Sequence, residues 1–317
     1  MRIDKSKFFI FEDLSGLYTA DFEVNGGSVN DEVILTNAKA DVVLDIYKQL
    51  SINYPHYVSS EKIGELCGKD FNIYTFSFPQ INNFTEFSVK KPEILITAGI
   101  HGYEQGSAWT LAQFCRQLCE SDNKYFSFLR RNVIFKIIPL VNIWGFENNE
   151  RKNENGVDIN RNFDADWKPL WTPEQGNYMG TKPFSEKESR FLSEFLENNK
   201  NAEFLIDYHN IASGLPLWFV NCEEQATLCN SLFTALSAKW AGEYTALNKN
   251  KVYGACKPED GLGKFSYYAL KNNINNITLE TPWCFDTVGD NQYDNITIKL
   301  SLEVLVNTIL SLVKLYM

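Results

Sequence analysis

Three histidines occur in 317 residues, and two of them stand where apolar runs end. His101 follows the run "EILITAG" (93–99) and lies three residues before Glu104; His209 follows "EFLID" (203–207). Short apolar runs bounded by turn residues read as buried strands. In open α/β sheets, sites form beyond the carboxyl ends of such strands. Two imidazoles placed alike, with a carboxylate close to the first, make a nitrogen and oxygen donor set of the kind zinc takes at a catalytic site, leaving a fourth position for water. His101, Glu104 and His209 are therefore the candidate metal ligands. Gly99 and Gly102 give the chain freedom to turn ligands three apart toward one ion. Taken alone, H-x-x-E is a weak signal.

A second stretch, "ERKNENGVDINRNFD" (150–164), alternates Val157 and Ile159 with Asp158 and Asn160, so one side can pack while the other presents polar groups to a cleft. Arg161 follows at once. An arginine beside an asparagine is suited to gripping a carboxylate through charge-assisted bonds. Arg151, earlier in the same stretch, supplies another fixed positive charge that can face a developing oxyanion. Either arginine, considered singly, reads equally well as part of a solvated turn. In "NNITLETPW" (275–283), Glu280 ends an apolar strand. There a carboxylate is either a surface charge or the group that handles protons, and the residues leave both open. Asp207 shares a strand face with His209 and receives no role. His56, in "NYPHYVSS", reads as a surface or packing residue.

These residues need elements to hold them. "AKADVVLDIYKQL" places Val42, Val43, Ile46, Tyr47 and Leu50 on one helical face. The main domain is expected over 41–317, with 1–40 an N-terminal extension of short strands ("FFIF", "YTADFEV", "DEVILT") packed on it. Strand-like runs then alternate with helical ones, which predicts an α/β fold: a mixed, mostly parallel central sheet with helices on both faces. Ser185 and Glu188 have capping-box spacing before the helix "SEKESRFLSEFLENN". Lys299, Glu303 and Lys314 interrupt the apolar run at 295–316, which predicts an amphipathic helix and not a membrane span.

Composition narrows the function classes. A hydrophobic content of 44% allows one large core, and a net charge of −10 argues against nucleic acid as a partner. With no secretory run at the start and no span, a cytoplasmic protein without a membrane partner is expected. Seven cysteines, odd in number and scattered, read as reduced thiols, with Cys115 and Cys119 buried on a helix. The 14% of aromatic residues read as core, because they are not interleaved with Lys or Arg.

Together the motifs resemble the M14 family of zinc carboxypeptidases, the carboxypeptidase A-like metallopeptidases. "HGYE" is similar to the family's H-x-x-E ligand pair, "RKNENGVDINRNF" to its arginine segment, "DYHN" to the loop of the third ligand and "LETP" to its catalytic glutamate. They occur in the family's order, from about residue 45 onward. The resemblance implies one zinc ion per chain on His101, Glu104 and His209. It implies that Glu280 is the general base, taking a proton from the attacking water and later giving it to the leaving amine. Arg151 would stabilise the tetrahedral oxyanion, Asn160 and Arg161 would bind the substrate's terminal carboxylate, and Asp158 would orient His101. Tyr253 is the candidate for the family's substrate-capping tyrosine, and Pro258 to Asp260 fall near the expected side-chain pocket.

The implied reaction is zinc-dependent cleavage of an amide next to a free carboxylate, most simply removal of C-terminal amino acids from peptides. Two other readings stand beside it. One is a deacylase of N-acyl amino acids, similar to aspartoacylase or succinylglutamate desuccinylase, since such enzymes share the ligand plan. The other is a zinc-dependent binding module without turnover. The expected partner is a peptide or acyl-amino-acid with a free carboxylate.

Overall fold

The computed structural model describes residues 22–24, 27–29, 40–78, 91–211, 216–240, 261–282 and 295–316. Tyr253, Pro258 to Asp260 and most of the 1–40 extension lie outside the described residues. Along the chain come β1 (Phe22–Val24), β2 (Gly27–Val29), α1 (Ala40–Asn53), β3 (Val58–Leu66), β4 (Lys69–Phe76), β5 (Glu93–Ala98) and α2 (Gln105–Glu120). Next are α3 (Lys124–Asn132), β6 (Ile134–Ile138), α4 (Ile143–Asn148), α5 (Lys187–Glu197), β7 (Phe204–Ile211) and β8 (Leu217–Val220). The last elements are α6 (Glu223–Trp240), α7 (Phe265–Lys271), β9 (Asn276–Pro282) and α8 (Asn295–Tyr316).

Seven strands form one sheet in the order β3-β4-β6-β5-β7-β9-β8, while β1 and β2 pair separately as an antiparallel ribbon. The four central strands β6, β5, β7 and β9 are parallel, and antiparallel strands flank them on both sides. This is the expected mixed sheet. β5 and β7 are buried along nearly their whole length, as parallel strands covered on both faces must be. Strand β4 shows the two coverings directly: Tyr74 meets Tyr47 of α1, and Phe71, on the opposite face, stacks on Phe191 of α5. Helices α1, α2, α8 and α6 touch one another in that order and form one layer.

Three local expectations change. The helix α8 is buried on every side from Leu300 to Val313, with Ser301, Glu303, Asn307, Thr308 and Ser311 all inside, so it is a core helix and not an amphipathic one. Ser185 does not cap α5: the cap position is Glu186, and the Ser185 hydroxyl instead donates to the Glu186 carboxylate. The alternating stretch around Asp158 is no strand but a turn of 3-10 helix at Ile159–Arg161, where polar and apolar side chains alike are buried. The strand β3, mostly polar and exposed along its middle, and the short helices α3 and α4 have no counterpart among the elements read from the sequence. His56 is exposed in the turn before β3, and Cys115 and Cys119 are buried free thiols, both as expected. Among the described residues, no helix is long and apolar enough to cross a membrane.

The buried helix α8 is tied to the sheet edge by a polar contact: Trp218 of β8 donates from Nε1 to Thr308 Oγ1 at 3.0 Å, with both side chains inside. Removing one partner strands the other in a dry site. Trp218→Phe and Thr308→Val are each expected to lower unfolding free energy by about 1–3 kcal/mol. In chemical denaturation the double variant should cost less than the sum of the two; simple additivity would show that the bond contributes nothing.

Candidate metal centre and substrate cleft

The sheet order places β5 between β6 and β7, so the chain leaves β5 toward one neighbour and later returns on the other side. Such a switch point opens a crevice at the carboxyl ends of the strands. His101 and Glu104 lie in the turn between β5 and α2, His209 lies near the end of β7, and Glu280 stands directly beside His209 on β9. The turn after β5 is tight because Gly99 takes φ +66°. Gly102 rests backbone to backbone on α4, where a Cβ would stand 2.0 Å from the Gly145 carbonyl carbon.

Three ligand atoms, one each from His101, Glu104 and His209, lie within 4.8 Å of one another, and all three residues are buried. His101 Nδ1 is 2.7 Å from one Glu104 oxygen, and His209 Nδ1 is 2.8 Å from the other. Both rings thus turn the same nitrogen inward. Their outward nitrogens meet carboxylates: His101 Nε2 is 3.2 Å from Asp158 Oδ1, and His209 Nε2 is 3.1 Å from Asp207 Oδ2. The second pair is misaligned for a hydrogen bond, so that contact is electrostatic. Thr97 donates to the other Asp207 oxygen at 3.2 Å.

Burial alone would raise the Glu104 carboxyl, but the two imidazoles hold it well below the usual carboxylate range. Burial would lower His209, yet Asp207 and Glu104 raise it well above an ordinary imidazole. A field that draws a proton to this place draws a cation equally. The donor set, the convergence of the ligand atoms and this field all fit a zinc ion. Glu280 faces the same space with its Oε2 buried and without a hydrogen-bond partner. Burial, with the Glu104 charge adding to it, pushes its carboxyl up to about 8.

Asp158 joins this centre to the arginines. Fully buried, it accepts from Arg151 Nε and Nη2 on one oxygen at 3.1 and 2.9 Å, and meets His101 with the other. Burial would raise its carboxyl; His101, Arg151 and Arg161 keep it well below the usual range. Arg151 Nη1 reaches to 3.3 Å from both His101 Nδ1 and the Tyr103 hydroxyl. Arg161 donates to the Asn160 carbonyl, and Asn160 accepts on Oδ1 from the Phe265 amide at 2.8 Å, which leaves its Nδ2 as a donor. One cleft is lined by His101, Glu104, Arg151, Asn160, Arg161, His209 and Glu280 together.

The structure adds residues to which sequence reasoning gave no role. Asp207 backs His209; its period-two spacing was the available signal. Asn210 donates its amide to Glu104 Oε2 and accepts from the Ser107 amide, locking β7 to the start of α2. Asn162, fully buried, bonds to Met179, Lys182 and Ser185 and fixes the loop behind Arg161. Phe219, Lys264, Ser266 and Thr278 complete the cleft wall, with no sequence signal to mark them.

The zinc carboxypeptidase family model, Peptidase_M14, matches residues 43–291, which is most of the chain. Among curated proteins, the chain is 28% identical over 186 residues to mast cell carboxypeptidase A of Homo sapiens, covering 51% of this chain and 42% of that protein. It is 26% identical over 239 residues to cytosolic carboxypeptidase 2 of Xenopus tropicalis, covering 73% of this chain and 23% of that protein. In both cases the match spans less than half of the relative. Among solved structures, carboxypeptidase A from Helicoverpa armigera superposes with a TM-score of 0.68 at 19% identity, over 87% of this chain and 74% of that one. At that identity the superposition speaks for the fold, whereas the family model, with its ordered motifs, speaks for descent. The chain belongs to the M14 family of zinc carboxypeptidases.

Proposed function

We propose that the protein removes C-terminal amino acids from peptides by zinc-dependent hydrolysis, with 41–317 as the catalytic unit. One observation carries this: Asn160 and Arg161 line the same cleft as His101, Glu104, His209 and Glu280, so a carboxylate grip and a hydrolytic centre face one substrate. An enzyme without the grip would have no reason to select chain ends.

His101, Glu104 and His209 hold the zinc. When bound, it supplies a Lewis acid able to lower the pKa of water from about 15.7 to about 7. Asp158 and Asp207 orient the two imidazoles from behind, so that both Nδ1 atoms stay aimed inward. Arg161 pairs with the terminal carboxylate, aided by the Asn160 Nδ2 donor, and so fixes the last amide against the centre. Arg151, held by two bonds to Asp158, presents its remaining nitrogen toward the developing oxyanion. Glu280 takes the proton from the attacking water at its unpartnered oxygen and returns it to the leaving amine. A carboxyl raised by burial is suited to both halves of that transfer near neutral pH.

Two experiments test the assignment. Mass spectrometry on protein prepared without chelators or a histidine tag is expected to find about one zinc per wild-type chain. His209→Ala should lose it, and Asp158→Asn should bind zinc about 10- to 100-fold more weakly. A wild-type chain that takes up no zinc when offered it defeats the proposal. Secondly, Glu280→Gln should retain zinc while release of C-terminal amino acids falls by about 10² to 10⁴. Release that survives the substitution removes Glu280 from its role, and turnover of acyl-aspartate or acyl-glutamate with none on peptides assigns the deacylase reaction instead.

A further inference from the structure

Tyr103 stands inside the ligand turn, between His101 and Glu104, and is half-buried. Its ring centroid is 6.4 Å from that of His101, and its hydroxyl lies 3.3 Å from Arg151 Nη1. The turn is stitched to the loop that carries the arginine. Tyr103 donates its amide to the Glu150 carbonyl at 3.0 Å, Glu150 donates its own to the Gly145 carbonyl at 2.8 Å, and Gln105 Nε2 donates to the Phe146 carbonyl at 2.9 Å. Asn142 adds a bond from its Nδ2 to the Arg151 carbonyl at 3.3 Å. These bonds keep the phenol and the guanidinium side by side.

Arg151 divides its donors between two tasks. Nε and Nη2 both donate to Asp158 Oδ2, at 3.1 and 2.9 Å, so one carboxylate oxygen holds one edge of the guanidinium. Nη1 meets three other groups: His101 Nδ1 at 3.3 Å, the Tyr103 hydroxyl at 3.3 Å and Glu104 Oε1 at 3.8 Å. Two of the three are candidate ligand atoms. An ion on His101 Nδ1 takes the lone pair that a guanidinium would use, and its charge repels the arginine from Glu104 as well. The hydroxyl is the neighbour that such an ion leaves unchanged.

We infer that Tyr103 is a positioning residue, whose hydroxyl accepts from Arg151 Nη1 and holds the guanidinium off the metal ligands and aimed at the scissile carbonyl. The hold is then two-sided, with an anion at one edge and a neutral oxygen at the other. A neutral acceptor suits the second place. A carboxylate there would neutralise the charge that a developing oxyanion needs, whereas a hydroxyl orients the nitrogen and leaves its charge available. A space-filling role would ask only for the ring, which phenylalanine supplies equally.

This inference rests on the zinc carboxypeptidase reading, and its test keeps the two apart. Zinc affinity is measured by competition with a chelating indicator for wild type, Tyr103→Phe, Arg151→Lys and the double variant. On the same proteins kcat and KM are measured with benzoylglycyl-phenylalanine, -leucine, -lysine and -glutamate. Arg151→Lys keeps a cation for the buried Asp158 but offers one nitrogen in place of the planar fork. Tyr103→Phe is expected to bind zinc about three- to tenfold more weakly and to lose about tenfold in kcat, with KM held within about twofold, because the bond is made to the arginine and not to the substrate. In the Arg151→Lys background the same substitution should change zinc affinity and kcat by less than about twofold. Wild-type behaviour of Tyr103→Phe overturns the inference, as do a raised KM at unchanged kcat and losses that simply add to those of Arg151→Lys. Zinc uptake without cleavage of any of the peptides would overturn the peptidase reading, while the zinc affinities of the variants still decide the role of Tyr103. Peptide cleavage with additive losses would do the reverse, and a wild type that takes up no zinc overturns both.

Discussion

The carboxylate of the buried Glu104, a residue 4% exposed, set between two imidazoles, is the constraint on which the rest depends. Glu104 receives His101 on one oxygen and His209 on the other, although His209 is 105 positions away in the chain. A buried charge of this kind is tolerated only when every lone pair has a partner. The partners must therefore arrive together, which requires β5 and β7 to be adjacent and in one register. The observed pairing of Ala98 with Tyr208 does this, bringing the end of β5 level with His209. Asn210 completes the set by donating its amide to the same carboxylate.

Behind that carboxylate, a ring of acids sets direction. Asp158 and Asp207 each face an outward imidazole nitrogen, so the ring nitrogens left for a metal are chosen by residues that never touch it. Asp158 does more, because the same side chain holds Arg151 and accepts from the Asn160 amide. The candidate metal centre and the candidate substrate grip are thereby joined through one side chain. On the proposed function, a displacement of the 3-10 turn would disturb ligand orientation, oxyanion stabilisation and carboxylate binding at once. Within that function such coupling would aid catalysis, since the charges would need no rearrangement as the reaction proceeds.

How much of this was legible in the sequence followed from whether the signal was local. The strands carrying His101, His209 and Glu280 could be read because an uncharged apolar run ending at a polar residue has one common meaning in an α/β chain. Their joint role needed the family's motif order as well, since H-x-x-E by itself is common. Asp207 lay within the same run but on a strand buried on both faces, where position does not separate a ligand's support from an ordinary core contact. Ser185 had the spacing of a cap, yet its hydroxyl found Glu186 and Asn162 nearer to hand. Glu303 looked like a solvent-facing charge and is inside, because α8 is enclosed by α2, α6 and β9 rather than lying on the surface. Lys264 was invisible for a different reason. Its place beside Arg161 depends on a backbone contact between segments a hundred residues apart, and no periodicity records that.

The charge distribution shows why local placement outweighs composition. The chain carries a net charge of −10, which taken alone would disfavour any anionic substrate. Yet exposed charges beyond about 10 Å are largely screened at moderate salt, while charges inside a cleft with low-dielectric walls are not. Arg151, Arg161 and Lys264 line one small cleft together with Glu104 and Glu280. On the proposed function, a carboxylate would meet a weak, screened repulsion at a distance and its attraction only on reaching the arginines inside the cleft. The overall charge bears on how fast substrates arrive. On the proposed function, the cleft would determine which of them stay.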